Sequence, residues 1–418
     1  MDETAAIRRR LRDLLDQALA AAEPGALVRE SLNAAPVTAR RIRLLALGKA
    51  ARAMAQAAQN ELAAQGQQVA EALVITNAGN DAPLAGAHVM VAGHPLPDAG
   101  GLAAARAAEA MAARAGADDL LLVLISGGGS AMLPAPVAGV SLDDKARATQ
   151  AMLRAGLDIT QMNALRQQLS RLKGGWLARA AAPARVVALI LSDVIGDDLR
   201  VVASGPTVEP IMTRAEVARM LRDHRLWDAM PAAVRDVLAR CEAETAAAGS
   251  NAENRLIGSN ALLLDTLAAQ TGASIWTRAL TGDVAPAARF LADRLRTAPP
   301  GTLLALCGGE TTVRLRGAGQ GGRNQELALR VAAALHERPV ARPWAFLSAG
   351  TDGRDGPTDA AGGLVDAGTL ARIERAGGDW RALLADNDSH RALALAGDLV
   401  ITGPSGTNLA DIQLIALA

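Results

Sequence analysis

The apolar run Leu120-Leu121-Leu122-Val123-Leu124-Ile125 passes directly into Ser126-Gly127-Gly128-Gly129-Ser130-Ala131, and this junction decides the fold of the first half of the chain. A second apolar run, residues 186–191, ends in Ser192-Asp193-Val194-Ile195-Gly196-Asp197. Short apolar runs without alternation are typical of strands buried on both faces, as in a parallel sheet. Such sheets bind ligands at the carboxyl ends of their strands. We therefore expect the glycine-rich loop to suit an anion and the acidic loop to suit a divalent metal.

Length and composition narrow the class of protein. The 418 residues predict two or three domains, and half of them are hydrophobic, enough for a sizeable core. A formal net charge of zero gives no support to a nucleic-acid partner. The sequence has no apolar window of about 18 residues that would predict a membrane span. Its start, Met1-Asp2-Glu3, is unlike a signal peptide, so the expected location is the cytoplasm.

Predicted strands and helices alternate along both halves of the chain, which indicates an α/β fold with mostly parallel sheets. The first element is an amphipathic helix predicted over residues 4–22. The small, polar segment 244–254 is the expected domain boundary. The sequence therefore predicts a first domain over residues 1–245 and a second domain over residues 250–418.

The glycine loop and a nearby lysine are the first candidates for ligand binding. The three glycines between Ser126 and Ser130 let backbone approach a ligand closely, and their amides can form an anion nest. The alternative is a tight strand-to-helix turn. Lys49 follows Gly48 after a predicted strand, where an ammonium can reach a pocket at the strand end. Almost all other basic residues are Arg, so this Lys indicates a need for a compact ammonium; a solvated loop lysine is the competing interpretation.

Two carboxylates follow the second buried strand. Asp193 and Asp197 are four residues apart across Gly196. Side chains in this position could hold Mg²⁺, or one of them could accept a hydroxyl proton during phosphoryl transfer. Helix capping by Asp is the structural alternative.

A polar stripe is predicted between the two strands. Residues 160–181 are expected to form one helix, and four residues spaced by three or four share one of its faces: Asn163, Arg166, Ser170 and Gly174. Lys173 lies beside Gly174 and, with Lys49 and Lys145, completes the lysines of the chain. This stripe is either a substrate-binding face or a solvated one.

The C-terminal half offers a cation and several acids in glycine-rich loops. Arg323 follows Gly322 at a predicted helix start, where the helix dipole disfavours a cation. That placement indicates an anionic partner such as a carboxylate or phosphate; the alternative is a solvated arginine. Asp352, Asp355 and Asp359 are spaced by three and four among glycines, which is typical of a metal loop or of a structural turn. Their spacing does not match an EF-hand.

Other motifs argue against competing classes of protein. Gly317-Ala318-Gly319-Gln320-Gly321-Gly322 is a literal dinucleotide fingerprint between a predicted strand and a predicted helix. It lies only about a hundred residues from the C-terminus, too few for the two halves of a dinucleotide-binding domain, and the expected acidic residue about 20 positions on is missing. No Walker A pattern is present, which excludes P-loop kinases. His94 and His390 belong to no Cys/His cluster, so a zinc site is not expected.

Taken together, the motifs resemble those of the class II glycerate 2-kinases, whose second domain is called MOFRL. The N-terminal domain of that family is similar in these segments: Gly48-Lys49-Ala50, Gly93-His94-Pro95-Leu96-Pro97-Asp98, Ser126 to Ser130, Asn163 to Gly175 and Ser192 to Asp197. The MOFRL domain is similar in these: Cys307-Gly308-Gly309-Glu310-Thr311-Thr312, Gly322-Arg323-Asn324-Gln325-Glu326, Ala349 to Gly353 and Asn387-Asp388-Ser389. Some bacterial members carry the name hydroxypyruvate reductase.

The resemblance implies a Rossmann-like domain, a smaller α/β MOFRL domain and a cleft between them. It implies ATP- and Mg²⁺-dependent phosphorylation of D-glycerate at its 2-hydroxyl, in a monomer or homodimer. The implied catalytic residues are Lys49, Asp193 and Arg323, with Asp193 and Asp197 as metal ligands. The implied substrate and nucleotide contacts are Ser126, Gly127, Gly128, Gly129, Ser130, Asn163, Arg166, Lys173, Glu310, Asn324 and Asp352. An NAD(P)H-dependent hydroxypyruvate reductase and a non-catalytic sensor of small acids are the alternatives.

Overall fold

The computed structural model describes residues 3–240 and 251–418 of the chain. The chain folds into two compact units, one formed by Pro24–Ile257 and the other by the residues up to Glu23 together with Gly258–Ala418. The predicted domain boundary at residues 245–250 lies outside the described residues.

Helix α1 (Glu3–Ala21) buries Ile7, Leu11, Leu14, Leu15 and Ala18, as the apolar pattern of this segment predicts. The sequence analysis places this helix in the first domain, whereas the structure groups it with the C-terminal unit. An ion-pair network contributes to this placement together with the buried apolar face: Arg8 donates to Asp366 Oδ2 at 2.5 Å and to Asp398 Oδ1 at 2.9 Å. Both carboxylates are buried and also bind Arg372. The helix thus completes the C-terminal unit despite its distance along the chain.

The first unit contains a six-stranded sheet with the order β3-β2-β1-β4-β5-β6. Its strands are β1 (Arg41–Leu47), β2 (Val69–Thr76), β3 (His88–Val91), β4 (Asp119–Ile125), β5 (Arg185–Leu191) and β6 (Ala252–Gly258). Its helices are α2 (Pro24–Ala34), α3 (Ala51–Ala64), α4 (Ala99–Ala113), α5 (Gly129–Met132), α6 (Leu142–Arg154), α7 (Ile159–Gln168), α8 (Trp176–Ala181), α9 (Arg214–Asp223) and α10 (Ala232–Ala239). Single 3₁₀ turns lie at Val202–Ser204 and Trp227–Ala229.

The centre of this sheet is parallel and buried, as the apolar runs predict. Strand β1 pairs in parallel with β2 and β4, and β4 pairs in parallel with β5. Every residue of β4 is buried. The carboxyl ends of β1, β4 and β5 therefore lie at one edge, which places the loops after Leu47, Ile125 and Leu191 side by side. The edge strand β6 falls in the segment that the sequence analysis assigns to the second domain, yet it extends the first sheet.

The second unit carries a six-stranded sheet with the order β11-β10-β9-β12-β8-β7. Its strands are β7 (Ser274–Asp283), β8 (Leu303–Thr312), β9 (Trp344–Gly350), β10 (Gly362–Asp366), β11 (Leu399–Val400) and β12 (Asp411–Leu417). Besides α1 its helices are α11 (Asn260–Thr271), α12 (Val284–Arg296), α13 (Arg323–Glu337), α14 (Thr369–Arg375), α15 (Trp380–Ala385) and α16 (Ser389–Ala396).

This second sheet is mixed, so the prediction of mostly parallel sheets is wrong for the C-terminal half. Strand β12 runs antiparallel to both β8 and β9, and β10 runs antiparallel to β9 and β11. Strands β10, β11 and β12 were not predicted from the sequence. The last strand of the chain inserts between β8 and β9, a non-local pairing that local periodicity does not reveal.

The predicted single helix over residues 160–181 is also wrong. Helix α7 ends at Gln168, and α8 begins only at Trp176. Between them Gly174 and Gly175 adopt positive φ angles of 60° and 83°. Ser170 and Gly174 therefore do not share a helical face with Asn163. Over the described residues, no helix is long and apolar enough to cross a membrane.

Candidate active site

The ends of β1 and β4 meet closely at Gly48 and Ser126. Gly48 has a φ of 115°, and a Cβ at this position would overlap both the carbonyl and the hydroxyl of Ser126. The Ser126 hydroxyl accepts from the Ala50 amide at 3.1 Å and donates to the Leu47 carbonyl at 3.3 Å. The Lys49 amide in turn donates to the Gly127 carbonyl at 3.0 Å. Lys49 is thereby fixed beside the glycine loop, while the Ser126 side chain is used internally.

The acidic loop after β5 reaches the same glycine loop. The Asp193 carboxylate lies so close to the Cα of Gly127 that a Cβ on this glycine would overlap it. Only glycine at position 127 permits this approach. The structure therefore brings together Lys49, Gly127 and Asp193, all three of which the sequence analysis selects.

This approach makes a testable prediction. Gly127→Ala should fold, because the overlapping atoms belong to the Asp193 side chain and not to the backbone. Displacing that carboxylate by about 1 Å should lower turnover by roughly a hundredfold. Steady-state kinetics would measure the loss, and circular dichroism would check the fold. A folded Gly127→Ala protein with wild-type kinetics would contradict the role given to Asp193. Gly139→Ala is a suitable stability control, because nothing lies within 4 Å of its Cβ position.

Lys49 and His94 both lie beside the glycine loop. In the part of the chain that the structure describes, the Lys49 ammonium has neither an ion pair nor a hydrogen bond. The His94 ring lies over Gly128, with its Cδ2 atom 3.0 Å from the position of a Cβ. Partial burial, and then the charge of Lys49, lower the pKa of His94. The lowered pKa favours the neutral form of this imidazole. The sequence analysis includes His94 in a motif of the resembled family and excludes it as a zinc ligand, but it gives His94 no role at this position.

A chain of hydrogen bonds begins at Ser130, at the other end of the glycine loop. Lys173 Nζ donates to the Ser130 carbonyl at 2.6 Å and to the Ser130 hydroxyl at 3.1 Å. The hydroxyls of Ser130 and Ser204 are 2.8 Å apart, and Ser204 donates to Asn163 Oδ1 at 2.9 Å. Ser204 begins the segment Ser204-Gly205-Pro206-Thr207 after β5, and the sequence analysis assigns it no role. Three of the predicted contacts, Ser130, Asn163 and Lys173, are thus brought together.

Three basic residues near this hydrogen-bond chain act on one another through their charges. Burial, followed by the charges of Lys145 and Arg166, lowers the pKa of Lys173 well below its ordinary value. Burial likewise lowers the pKa of Lys145 to about 7, and its ammonium donates to the carbonyls of Pro134 and Leu169. Arg166 is partly buried and, among the described residues, has no carboxylate or hydrogen-bond partner. Cations that repel one another without a counterion are expected where a ligand supplies the negative charge.

Asp193 and Asp197 are the predicted metal ligands. Asp197 lies in a partly exposed turn with a φ of 56°, four residues after Asp193. Within residues 3–240 and 251–418 there is no group of three or more His, Cys, Asp or Glu side chains arranged to hold a metal ion. Mg²⁺ usually binds one or two carboxylates together with substrate phosphates, rather than a complete protein cage. Asp193 and Asp197 supply oxygen donors of the kind that Mg²⁺ takes, and their assignment as metal ligands stays a prediction.

In the second unit the predicted cation Arg323 begins helix α13 and is paired with acids. Its Nε and Nη2 donate to Asp411 Oδ2 at 2.6 Å and Oδ1 at 2.9 Å. Its Nη1 lies 3.0 Å from Glu310 Oε1. The anionic partner that the position of Arg323 indicates is thus, at least in part, the protein's own Asp411. The sequence analysis misses Asp411; the signal available was a lone acid at the start of the apolar run that forms β12.

Most of the other predicted polar residues of this unit serve the fold. The buried Asp355 accepts from the amides of Asn324 and Gln325 and so caps helix α13. Asn324 is completely buried and accepts from Ser348 Oγ at 2.6 Å, which leaves it closed to a ligand. The Asp352 carboxylate accepts from the Arg354 amide within its own turn. The acidic spacing of this loop therefore reflects a cap and a turn, and its members do not converge on one point.

Backbone amides of the dinucleotide fingerprint at residues 317–322 already form hydrogen bonds within the protein. The Gly317 amide donates to Asn387 Oδ1, and the Ala318 and Gly319 amides donate to the side chain and the carbonyl of Asp386. Strands β8 and β9, on either side of this loop and its helix, are separated by β12. Backbone amides that are satisfied internally cannot cradle a pyrophosphate as the fingerprint requires.

The Asp411–Arg323 pair predicts a pH dependence of stability. Burial raises the pKa of Asp411 to about 6, against the opposing hydrogen bond and charge of Arg323; the nearby Asp355 raises it further. The folded protein therefore holds this proton more tightly than the unfolded chain, in which Asp titrates near pH 4. Stability from this group is fully present below about pH 4 and is lost as the pH rises to about 6.

Urea unfolding of wild type and Asp411→Asn at fixed ionic strength would measure this contribution. The unfolding free energy of wild type relative to the variant should decline between about pH 4 and pH 6 and then level off. A relative stability that stays flat, or grows, across that window would rule out the raised pKa.

Comparison with known proteins connects these features to a family. The family model described as a domain of unknown function, DUF4147, matches residues 10–239, and the MOFRL family model matches residues 303–411. The chain is 37% identical to a D-glycerate 2-kinase of Thermotoga maritima, with 96% of each chain covered. It is 39% identical to an Agrobacterium vitis protein provisionally named hydroxypyruvate reductase, with 98% of this chain and 94% of the relative covered. The crystal structure of a glycerate kinase from Thermotoga maritima matches with a TM-score of 0.90 at 35% identity, covering 99% of this chain and 100% of that one. The chain therefore belongs to the class II glycerate 2-kinase family.

Proposed function

We propose that this protein transfers the γ-phosphoryl group of ATP to the 2-hydroxyl of D-glycerate. The observation that carries the proposal is the glycine loop, which Lys49 contacts through its backbone amide and against which the Asp193 carboxylate packs at Gly127; the Lys49 ammonium has no ion pair among the described residues. Phosphoryl transfer needs little covalent chemistry from the protein; it needs positioning and neutralisation of charge. The relatives named as glycerate kinases support this substrate for the present chain.

Each residue is given a role that its position can support. Lys49 neutralises charge on the transferring phosphoryl group, and the glycine loop accommodates an anion at close range. Asp193 orients or deprotonates the hydroxyl or, with Asp197, holds Mg²⁺, which when bound would offset phosphate charge. Arg323, which the family resemblance implies as a catalytic residue, is given the role of charge neutralisation. Ser126 and Asn324 are assigned to the framework, because their polar atoms are used internally.

The reductase alternative receives less support from the same observations. Its sequence basis is the fingerprint at residues 317–322, where three amides already bind residues 386 and 387. A neutral His94 beside Lys49 could polarise a carbonyl, but these three amides are not available to the pyrophosphate of a nicotinamide dinucleotide.

Two parallel assays on the purified full-length protein would decide between these functions. ADP formation with ATP and D-glycerate should depend on Mg²⁺ and stop with excess EDTA. Oxidation of NADH or NADPH with hydroxypyruvate should stay at the background rate. Nicotinamide oxidation without ADP formation would reject the kinase assignment in favour of the reductase.

A further inference from the structure

The direction of each hydrogen bond in the chain at Ser130, its polarity, follows from the number of protons that each group can donate. Asn163 Oδ1 can only accept, so the Ser204 hydroxyl must donate its single proton to it, as the 2.9 Å contact indicates. Ser204 can then only accept from Ser130, 2.8 Å away. The Ser130 hydroxyl therefore donates to Ser204 and accepts from Lys173, which donates whether or not it is protonated. What Ser130 has left is one acceptor lone pair and no proton.

The backbone holds this chain in an otherwise unfavourable conformation. Ala203, Ser204 and Gly205 have consecutive φ angles of 49°, 62° and 59°, in the left-handed region. Non-glycine residues there cost about 1 kcal/mol or more each and persist only where the surroundings fix them. Here the Ser204 carbonyl accepts from Gln167 Nε2 at 3.2 Å and from the Gly174 amide at 3.1 Å. The position of the Ser204 hydroxyl is thus strongly determined.

Arg166 lies one helical turn from the end of this hydrogen-bond chain. It follows Asn163 by three residues on α7, so the two side chains are neighbours on one face of that helix. Among the described residues Arg166 has no hydrogen-bond or ion-pair partner. A guanidinium fork matches a carboxylate, and an acceptor beside it matches a hydroxyl. Because Ser130 is partly exposed, its remaining lone pair can reach a ligand.

We propose that Arg166 binds the carboxylate of the substrate and that Ser130 Oγ accepts a hydrogen bond from the hydroxyl beside that carboxylate. This assignment rests on the proposed function and specifies which atoms of the hydroxy acid are recognised. It makes Ser130 a specificity-determining residue and makes Lys173, Ser204 and Asn163 positioning residues.

This direction of the hydrogen bonds also disfavours binding of hydroxypyruvate, the corresponding 2-keto acid. Hydroxypyruvate carries a carbonyl beside its carboxylate and would place an acceptor against the acceptor of Ser130. A polar group left unpaired in this way costs about 1–3 kcal/mol, which corresponds to roughly a tenfold to a hundredfold in affinity. The site should therefore prefer a 2-hydroxy acid over the corresponding 2-keto acid before any chemistry occurs.

Calorimetric titration of the full-length protein with four acids would test this assignment without relying on turnover. D-glycerate and D-lactate keep the hydroxyl beside the carboxylate, 3-hydroxypropionate lacks it, and hydroxypyruvate replaces it with a carbonyl. Wild type should bind the first two at least about tenfold more tightly than the other two. Ser130→Ala should reduce that preference to about threefold or less. A preference that Ser130→Ala leaves unchanged would overturn the assignment.

Three further variants separate the parts of the proposal. Ser204→Gly suits the left-handed backbone and removes the group that accepts the Ser130 proton. The Ser130 hydroxyl can then donate to a ligand, so affinity for hydroxypyruvate should rise relative to D-lactate. An unchanged ratio of the two affinities would refute the proposed direction of these hydrogen bonds.

Arg166→Gln should lower the affinity for all four acids alike, since all carry the carboxylate. An unchanged affinity in this variant would refute the contact between Arg166 and the carboxylate. Ser141→Ala removes a hydroxyl from the cap of α6, which does not belong to the hydrogen-bond chain at Ser130, and should keep the wild-type preference. Wild type that binds none of the acids would refute the proposed function itself.

Discussion

Replacement of Lys49 by alanine is expected to lower kcat/KM for D-glycerate phosphorylation by about a thousandfold, with little loss of stability. Removing one preorganised donor from the site of developing charge typically costs a factor of about 10²–10³ in rate. Lys49 forms no ion pair within the described residues, so its removal leaves no buried partner behind. Its backbone contact to Gly127 is kept in the variant, and the loop should therefore retain its shape.

Two variants give this experiment its controls. Lys49→Arg should recover little activity, because a guanidinium is larger than an ammonium and disperses its charge over a planar fork. Arg52→Ala removes a neighbouring cation whose guanidinium binds the carbonyls of Ala82 and Pro83, and it should change kcat/KM by less than about threefold. Near-wild-type kinetics in a folded Lys49→Ala protein would remove Lys49 from the mechanism.

Replacement of Arg323 by alanine is expected to abolish measurable turnover and also to destabilise the C-terminal unit by about 3–5 kcal/mol. The second effect arises because the variant leaves the fully buried Asp411 carboxylate without its bidentate partner. The family resemblance alone would predict a loss of turnover with an intact fold. Denaturant unfolding should show the loss of stability, and steady-state kinetics the loss of activity.

A paired variant separates these two effects. In Arg323→Gln with Asp411→Asn the buried charges disappear together, so most of the stability should return, because replacing both partners is far less costly than removing one. If Arg323 acts on the substrate, the paired variant stays inactive although it is stable. Recovery of activity together with stability would show that Arg323 serves only the fold.

The sequence predicts the first unit well because its signals are local. The apolar runs before Ser126 and Ser192 become neighbouring parallel strands, and parallel pairing alone brings the loops that follow them to one edge. Lys49 and Asp193 could be selected because each follows directly on such a strand. The resemblance to the class II glycerate 2-kinases is confirmed by the family models and relatives.

What the sequence does not reveal depends on contacts between distant residues. Asp411 pairs with Arg323 across 88 positions, and Arg8 pairs with Asp366 across 358. The polarity of Ser130 depends on Ser204, 74 residues away. The helix break after Gln168 was missed because spacing alone does not distinguish a continuing helix from a turn built on two left-handed glycines.

The most direct test of the central claim is the ³¹P NMR spectrum of the product formed by wild-type protein from ATP, Mg²⁺ and D-glycerate. Transfer to the 2-hydroxyl predicts a new phosphomonoester signal split into a doublet by the single proton on C2, growing in step with ADP. A triplet would place the phosphate on the 3-hydroxyl instead. The absence of any new phosphomonoester signal, with ATP intact, would contradict the account.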